Sequence, residues 1–221
     1  MISRELKILF YILLTIPLAI SGWLYRVFFA PRKGTAMVQL GPGKRNYIKG
    51  WINVDANFIS AKSDCIADFR RSLPFHDNSI DGIYSINVIE HIPDLDFHFK
   101  EVYRCLKPGG KFRIGGPNGD AHIAKFIAGD LEWFSTFPDV RNSVGGRFSN
   151  YLIMRGEHLH ILTRSYVEEL AGNAGFKEFA VCCPVVETTF GDFFKEAMAT
   201  ESHEADPKFP KAFLVESTKP L

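Results

Sequence analysis

The chain has 221 residues, 26 basic and 25 acidic, for a formal net charge of +1. The balance hides a split: residues 1–33 hold five basic side chains against one acid, and the rest hold 21 bases against 24 acids. The length fits one domain plus a short extension, the 46% hydrophobic content excludes a disordered chain, and a mildly acidic body lacks the basic stripe that duplex nucleic acid requires, so no nucleic-acid partner is expected.

The head, residues 1–33, comes first in chain order. Residues 8–25 form an uncharged, strongly apolar run, interrupted by Arg26. Eighteen such positions stand at the lower limit for a membrane-spanning helix of about 20 residues. Three readings compete: a spanning or deeply inserted anchor, a cleaved signal peptide, and a helix packed on the body or lying at a bilayer surface. The run is longer than a signal-peptide core and no A-x-A site follows it. Its apolarity is continuous around the helix, unlike that of a simple amphipathic surface helix. Membrane association through residues 8–29 is therefore expected. The surplus of basic residues on the C-terminal side of the run favours a body on the cytoplasmic face.

From Ala36 the pattern changes to short apolar runs between turn signals. Strands are predicted at 36–40, 51–56, 64–69, 82–88 and 111–116. Residues 94–107 have helical spacing and stop at Pro108-Gly109-Gly110. Residues 117–160 show no clean period. Thr163 caps a predicted helix through Ala174, with Gly175 just past its end. Final strands are predicted at 177–186 and 212–218. Strands interleaved with helices imply an α/β layered fold with a mostly parallel sheet. The four cysteines, Cys65, Cys105, Cys182 and Cys183, lack CxxC and zinc-finger spacing and read as reduced thiols.

Ligands of such sheets bind in loops at the carboxyl ends of the strands, and the informative residues fall there. Gly41-Pro42-Gly43 follows the first strand, where the absence of side chains lets backbone approach a ligand. Asn46 stands where a dinucleotide fingerprint would have its third Gly, and no P-loop GK[ST] is present. Asp55 ends the second strand and can accept hydrogen bonds from ribose hydroxyls. It lies 14 residues after Gly41, so the first crossover helix must be very short, roughly 44–49. Asp68 could accept the exocyclic amine of an adenine, with Phe69 packed beside the ring.

The ordered string VQLGPG, GWINVDAN, CIADFRRSLPF, INVIEHI and LKPGG resembles the class I S-adenosylmethionine-dependent methyltransferases, and most closely their type 11 domain, from about Val38 to Phe176. The resemblance implies a Rossmann-like three-layer sandwich. Its sheet would have seven strands, mostly parallel, with the last antiparallel. The cofactor would be S-adenosylmethionine: Gly41 and Gly43 along its methionine part, Asp55 on the ribose, Asp68 and Phe69 at the adenine, and Asn87 near the sulfonium. Glu90-His91 matches the family's EH pair at the mouth of the site. Residues 34–221 then form the methyltransferase domain, with 117–160 as a lid over the acceptor.

Methyl transfer from a sulfonium is an in-line displacement that needs positioning and, for an oxygen acceptor of high pKa, a base. His91 is the first candidate, from its place beside the expected sulfonium contact; His122 and Glu90 follow, with His158, His160 and Asp120 as further options. His158 and His160 would share one side of a strand, but without a third ligand at a telling spacing no metal is expected. Arg141, Arg147 and Arg155 could meet an anionic acceptor. The function expected is transfer of a methyl group to a small-molecule or lipid- or sugar-linked acceptor. A non-catalytic S-adenosylmethionine-binding protein is the alternative, and a nicotinamide-dependent oxidoreductase a third reading, disfavoured by the missing third Gly.

Overall fold

The computed structural model describes residues 4–202, 206 and 208–221; of the basic head, residues 1–3 lie outside the described residues. A long helix, α1 (Arg4–Phe28), precedes β1 (Met37–Leu40), β2 (Ile52–Asp55), β3 (Cys65–Ile66) and β4 (Ile80–Ile86). A 3-10 turn (Ile89–His91) leads to α2 (Leu95–Cys105) and β5 (Leu106–Pro117). Then come α3 (Gly119–Ile127), α4 (Val144–Ile153), α5 (Arg164–Ala174), β6 (Ala180–Cys182), α6 (Lys195–Met198) and β7 (Ala212–Thr218).

The sheet order is β3-β2-β1-β4-β5-β7-β6. β7 runs antiparallel to both neighbours, and the other pairings are parallel. This is the seven-stranded Rossmann-like arrangement expected. The central strands carry Val38, Leu40, Val54, Ile83, Phe112 and Ile114 in full burial, because helical layers cover a parallel sheet on both faces. One layer buries Phe99 and Val102 of α2 against Val167, Leu170 and Ala171 of α5. The other packs Ile48, Trp51, Phe194 and Ala197 on Tyr84 and Leu214. Asp94 caps α2 at Phe97 N, and Thr163 caps α5 at Tyr166 N. Gly175 closes α5 at φ +116°, a conformation that glycine adopts without penalty.

Four local expectations change. Residues 44–49 form turns, not a short helix. Fully buried Asn53 holds them: its Nδ2 donates to Ile48 O at 2.9 Å and Trp51 O at 3.0 Å, and its Oδ1 accepts from Ile48 N. The strand expected over 177–186 shortens to β6, since Pro184 and the positive φ of Val185 end it. Residues 117–160 contain α3 and α4 rather than an irregular insert. Residues 158–163 are not a strand, so His158 and His160 do not share a strand face.

A further observation concerns α1, which packs on the body. Leu18 is buried, Tyr25 meets Phe75 edge-on at 6.1 Å, and a Cβ on Gly22 would stand 3.3 Å from Ala67 Cβ. These positions recur at i, i+4 and i+7, one stripe of the helix. The opposite side leaves Ile12, Leu13, Ile16, Ile20 and Trp23 exposed. Among the described residues no helix is long and apolar enough to cross a membrane; one side of α1 packs along the body.

Candidate active site

The chain builds outward from β1 to β3, then returns to the other side of β1 with β4. The reversal leaves a crevice at the carboxyl ends of β1 and β4, the place where open α/β sheets bind ligands. A cavity of about 1730 Å³ opens there. It reaches from Gly41, Gly43, Asp55 and Asp68 at one end to Glu90, His91, His158 and Trp133 at the other.

At the first end, Gly41 has φ +72° and sits against Val88; an added Cβ would stand 2.4 Å from Val88 Cγ2. The loop continues to Gly43, whose N–H donates to Asp55 Oδ2 at 3.0 Å. Asn57 N–H donates to the other oxygen at 2.8 Å. Each carboxylate oxygen keeps a second lone pair for a ligand hydroxyl. Burial pushes the Asp55 carboxyl upward, against the lowering effect of these backbone donors.

Asp68 also borders the cavity, but Arg70 grips both its oxygens, Nε to Oδ1 at 2.7 Å and Nη2 to Oδ2 at 2.6 Å. Phe69 lies beside it with its ring mostly buried near His98, centroids 6.4 Å apart. Asn87 is exposed at the end of β4 with φ +56°, and its N–H donates to Gly115 O. All six expected cofactor residues come to one edge of the sheet and border the same cavity.

The far end is built from three segments. Glu90 sits in the 3-10 turn after β4, buried, and its Oε2 has no hydrogen-bond partner among the described residues. Burial pushes its carboxyl up to about 8. Gly116 makes the space, since a Cβ there would come within 3.0 Å of that oxygen. His91 places Nε2 3.6 Å from Glu90 Oε1. His158 faces it across the gap, ring centroids 5.2 Å apart.

His122 also lines this end, but it is committed elsewhere. Its Nδ1 meets Asn118 O at 2.6 Å, its ring stacks on Tyr151 at 3.3 Å, and Trp133 closes edge-on at 4.6 Å. Burial pushes it down to about 4, so it is a neutral part of the wall. His160 holds Ile92 O, and Asp120 accepts from Arg164 N at the start of α5. Arg147 donates to Leu131 O and Arg141 O, and Arg155 pairs with Asp139; these arginines tie the insert together.

Sequence reasoning placed Trp133 and Tyr151 in the acceptor lid, undervalued His158 and passed over Gly116. No spacing rule connects them: Glu157, next to His158, meets His91 across 66 residues.

A family profile described as "Methyltransferase domain" matches residues 52–114. Over 94 residues the chain is 36% identical to cycloartenol-C-24-methyltransferase 1 of Oryza sativa subsp. japonica, covering 38% of this chain and 26% of that one. The chain spans less than a third of the length of the curated relatives it matches. In fold it is similar to a methyltransferase of Thermotoga maritima described as a possible histamine N-methyltransferase (TM-score 0.54, 18% identity, 98% and 96% of the two chains). It is similar also to phosphoethanolamine N-methyltransferase 2 of Haemonchus contortus in complex with phosphomonomethylethanolamine and S-adenosylhomocysteine (TM-score 0.50, 18% identity, 90% and 52%). The matched domain over residues 52–114, the sheet order and the crevice make the chain similar to the S-adenosylmethionine-dependent methyltransferases and support a class I fold with a type 11 domain.

Proposed function

We propose that the protein transfers the methyl group of S-adenosylmethionine to a small-molecule or lipid-linked acceptor held between the Glu90–His91 turn and the wall formed by α3 and α4. The observation that carries this reading is the single continuous cavity. At about 1730 Å³ it exceeds the ~300–1,000 Å³ of an ordinary ligand pocket, leaving room for a cofactor and a second molecule. Asp55 takes the ribose hydroxyls and the loop of Gly41 and Gly43 takes the methionine part. The acceptor end, with Trp133, Phe134 and Tyr151 in its wall, suits a partly apolar molecule.

In the transfer, a lone pair of the acceptor attacks the methyl carbon and the C–S electrons pass to sulfur, leaving neutral S-adenosylhomocysteine. For an oxygen acceptor, Nε2 of His91 takes the released proton. That lone pair is available because Nδ1 of His91 donates to Glu157 O at 2.9 Å, which sets the tautomer. The Ile12 and Thr15 side chains of α1 border the same cavity. The exposed apolar side of α1 supports attachment of the body to a membrane surface, with the cavity mouth near the lipid and the body on the cytoplasmic face.

Calorimetry with S-adenosylhomocysteine, followed by a methyl-release assay over hydroxyl- and amine-bearing acceptors, tests the reading. Saturable binding with turnover on one acceptor class supports it. Binding without turnover on any acceptor would instead favour a non-catalytic member of the same fold.

A further inference from the structure

We infer that Glu90, His91 and His158 form a binding site for one divalent first-row transition-metal cation at the acceptor end of the cavity. One ligand atom from each of the three lies within 4.8 Å of the others. Metal–ligand bonds of about 2.0–2.2 Å need ligand atoms roughly 3 Å apart, so small rotations of the two rings close the set.

Three links hold the two segments in register. Leu159 N–H donates to Glu90 O at 2.8 Å, Nδ1 of His91 donates to Glu157 O, and Nε2 of His160 donates to Ile92 O at 2.9 Å. They press residues 157–160 onto the 3-10 turn and place His158 opposite His91.

The tautomers are those of metal ligands. A backbone carbonyl only accepts, so each ring nitrogen bonded to one must carry the proton. That is Nδ1 in His91, against Glu157 O, and Nδ1 in His158, at 2.7 Å from Tyr151 O. Both Nε2 atoms therefore present lone pairs. A ligating histidine whose other N–H donates to a carbonyl is the usual outer-shell arrangement.

The third donor is unusual on its own account. Glu90 is 2% exposed, yet Oε2 has no partner among the described residues. A buried carboxyl without a donor is costly, and a bound cation would supply the missing charge. Two imidazoles and one carboxylate with open positions on the cavity side suit Zn²⁺, Fe²⁺ or Co²⁺ rather than the all-oxygen spheres of Mg²⁺ or Ca²⁺.

The consequence for the acceptor rests on the methyltransferase reading. A hydroxyl bound to the cation ionises more easily. Its proton leaves to water, the resulting oxygen anion attacks the methyl carbon, and the C–S bond breaks as before. The cation thus takes over the work assigned above to the His91 ring, and it selects acceptors that offer an oxygen.

The test uses the full chain stripped with a chelator, without cofactor or acceptor. Zn²⁺ is titrated by calorimetry and Co²⁺ by visible absorption. The expected result is one equivalent bound, with His91→Ala and His158→Ala each weakening it by at least about tenfold and His76→Ala, whose ring meets Arg32 away from the cavity, leaving it unchanged. His91 is exposed, so that variant folds even where His158→Ala does not; circular dichroism checks both. No saturable binding, binding unaffected in His91→Ala, or a thiolate charge-transfer band with Co²⁺ would overturn the site. Because methyl transfer plays no part in the readout, failure here is separable from failure of the functional reading.

Discussion

Gly43 and Asp55 are joined directly, the glycine N–H 3.0 Å from Oδ2 of the acid that ends β2. The loop proposed to meet the cofactor and the residue proposed to accept its ribose are therefore one unit. Asp55→Ala removes the ribose acceptor and releases the anchors at Gly43 and Asn57 together. Hydrogen bonds to a charged group are worth about 1.5–3 kcal/mol each. Affinity for S-adenosylhomocysteine should fall by about 10- to 100-fold in calorimetry. An unchanged affinity would place the ribose elsewhere.

Gly41 makes a sharper steric claim. At φ +72°, with Val88 Cγ2 2.4 Å from where a Cβ would lie, Gly41→Ala meets both backbone strain and a clash. The expected destabilisation is about 1–3 kcal/mol by denaturant unfolding, with weaker cofactor binding. Adding Val88→Ala removes the clash and leaves the strain. The double variant should therefore recover part of the loss, a coupling that a thermodynamic cycle measures.

Arg113 is fully buried on β5. It donates to Glu201 Oε1 at 2.7 Å and Oε2 at 2.8 Å, and to Glu216 Oε1 at 2.7 Å. The triad ties β5 and β7 to the segment after α6. Arg113→Met strands two buried carboxylates, and a loss of about 3–5 kcal/mol is expected. Combining it with Glu201→Gln should return part of that stability, since one of the uncompensated charges is gone.

The strands were legible because a parallel sheet covered on both faces writes itself as short apolar runs, and Gly41, Gly43 and Asp55 were legible because Asp55 ends one of them and the glycines follow another. Arg113 was not. Its alternation with Phe112 puts it on the opposite face of β5, and nothing near it in sequence says that Glu201, 88 residues away, covers that face. His158 failed for the same reason, as its opposition to His91 depends on a tertiary hydrogen bond from Leu159 to Glu90. Asn53 read as a motif letter and proved to be the scaffold of the turn that replaces a helix. Local pattern reports burial and caps well; it carries no record of which distant segment returns to a strand end.

Acid should unfold the protein through its buried imidazoles. His98 is fully buried and held down to about 4, chiefly by burial; His122 is likewise held near 4. Both are neutral in the folded state, whereas the unfolded chain binds protons below the ordinary value of 6.5. At these two sites the unfolded state thus holds more protons between about 6.5 and 4, so their contribution to stability is full above that window and is lost as pH drops through it, while Glu90, held up to about 8, acts with the opposite sign. From the shift, His98 alone contributes a loss of about 3 kcal/mol. His98→Gln, which stays neutral, should flatten roughly half of the fall in denaturation midpoint between pH 7 and 4.

The two sides of α1 should answer differently to the same kind of substitution. Leu18 is 3% exposed on the stripe that meets the body, while Ile16 and Ile20 are 70% and 51% exposed on the other side. Leu18→Ser gives up a buried side chain worth about 1.5–3 kcal/mol and should lower the thermal midpoint. Ile16→Ser with Ile20→Ser removes apolar area already in water, so the midpoint should hold. If the exposed side rests on lipid, the pair of serines removes area buried only there, and vesicle flotation should drop by about tenfold or more. Arg26, Arg32 and Lys33 at the end of the helix add attraction to anionic vesicles, which added salt should weaken. Flotation equal in wild type and the double serine variant would leave the apolar face without a membrane role, whereas loss of flotation with an unchanged midpoint separates attachment from folding.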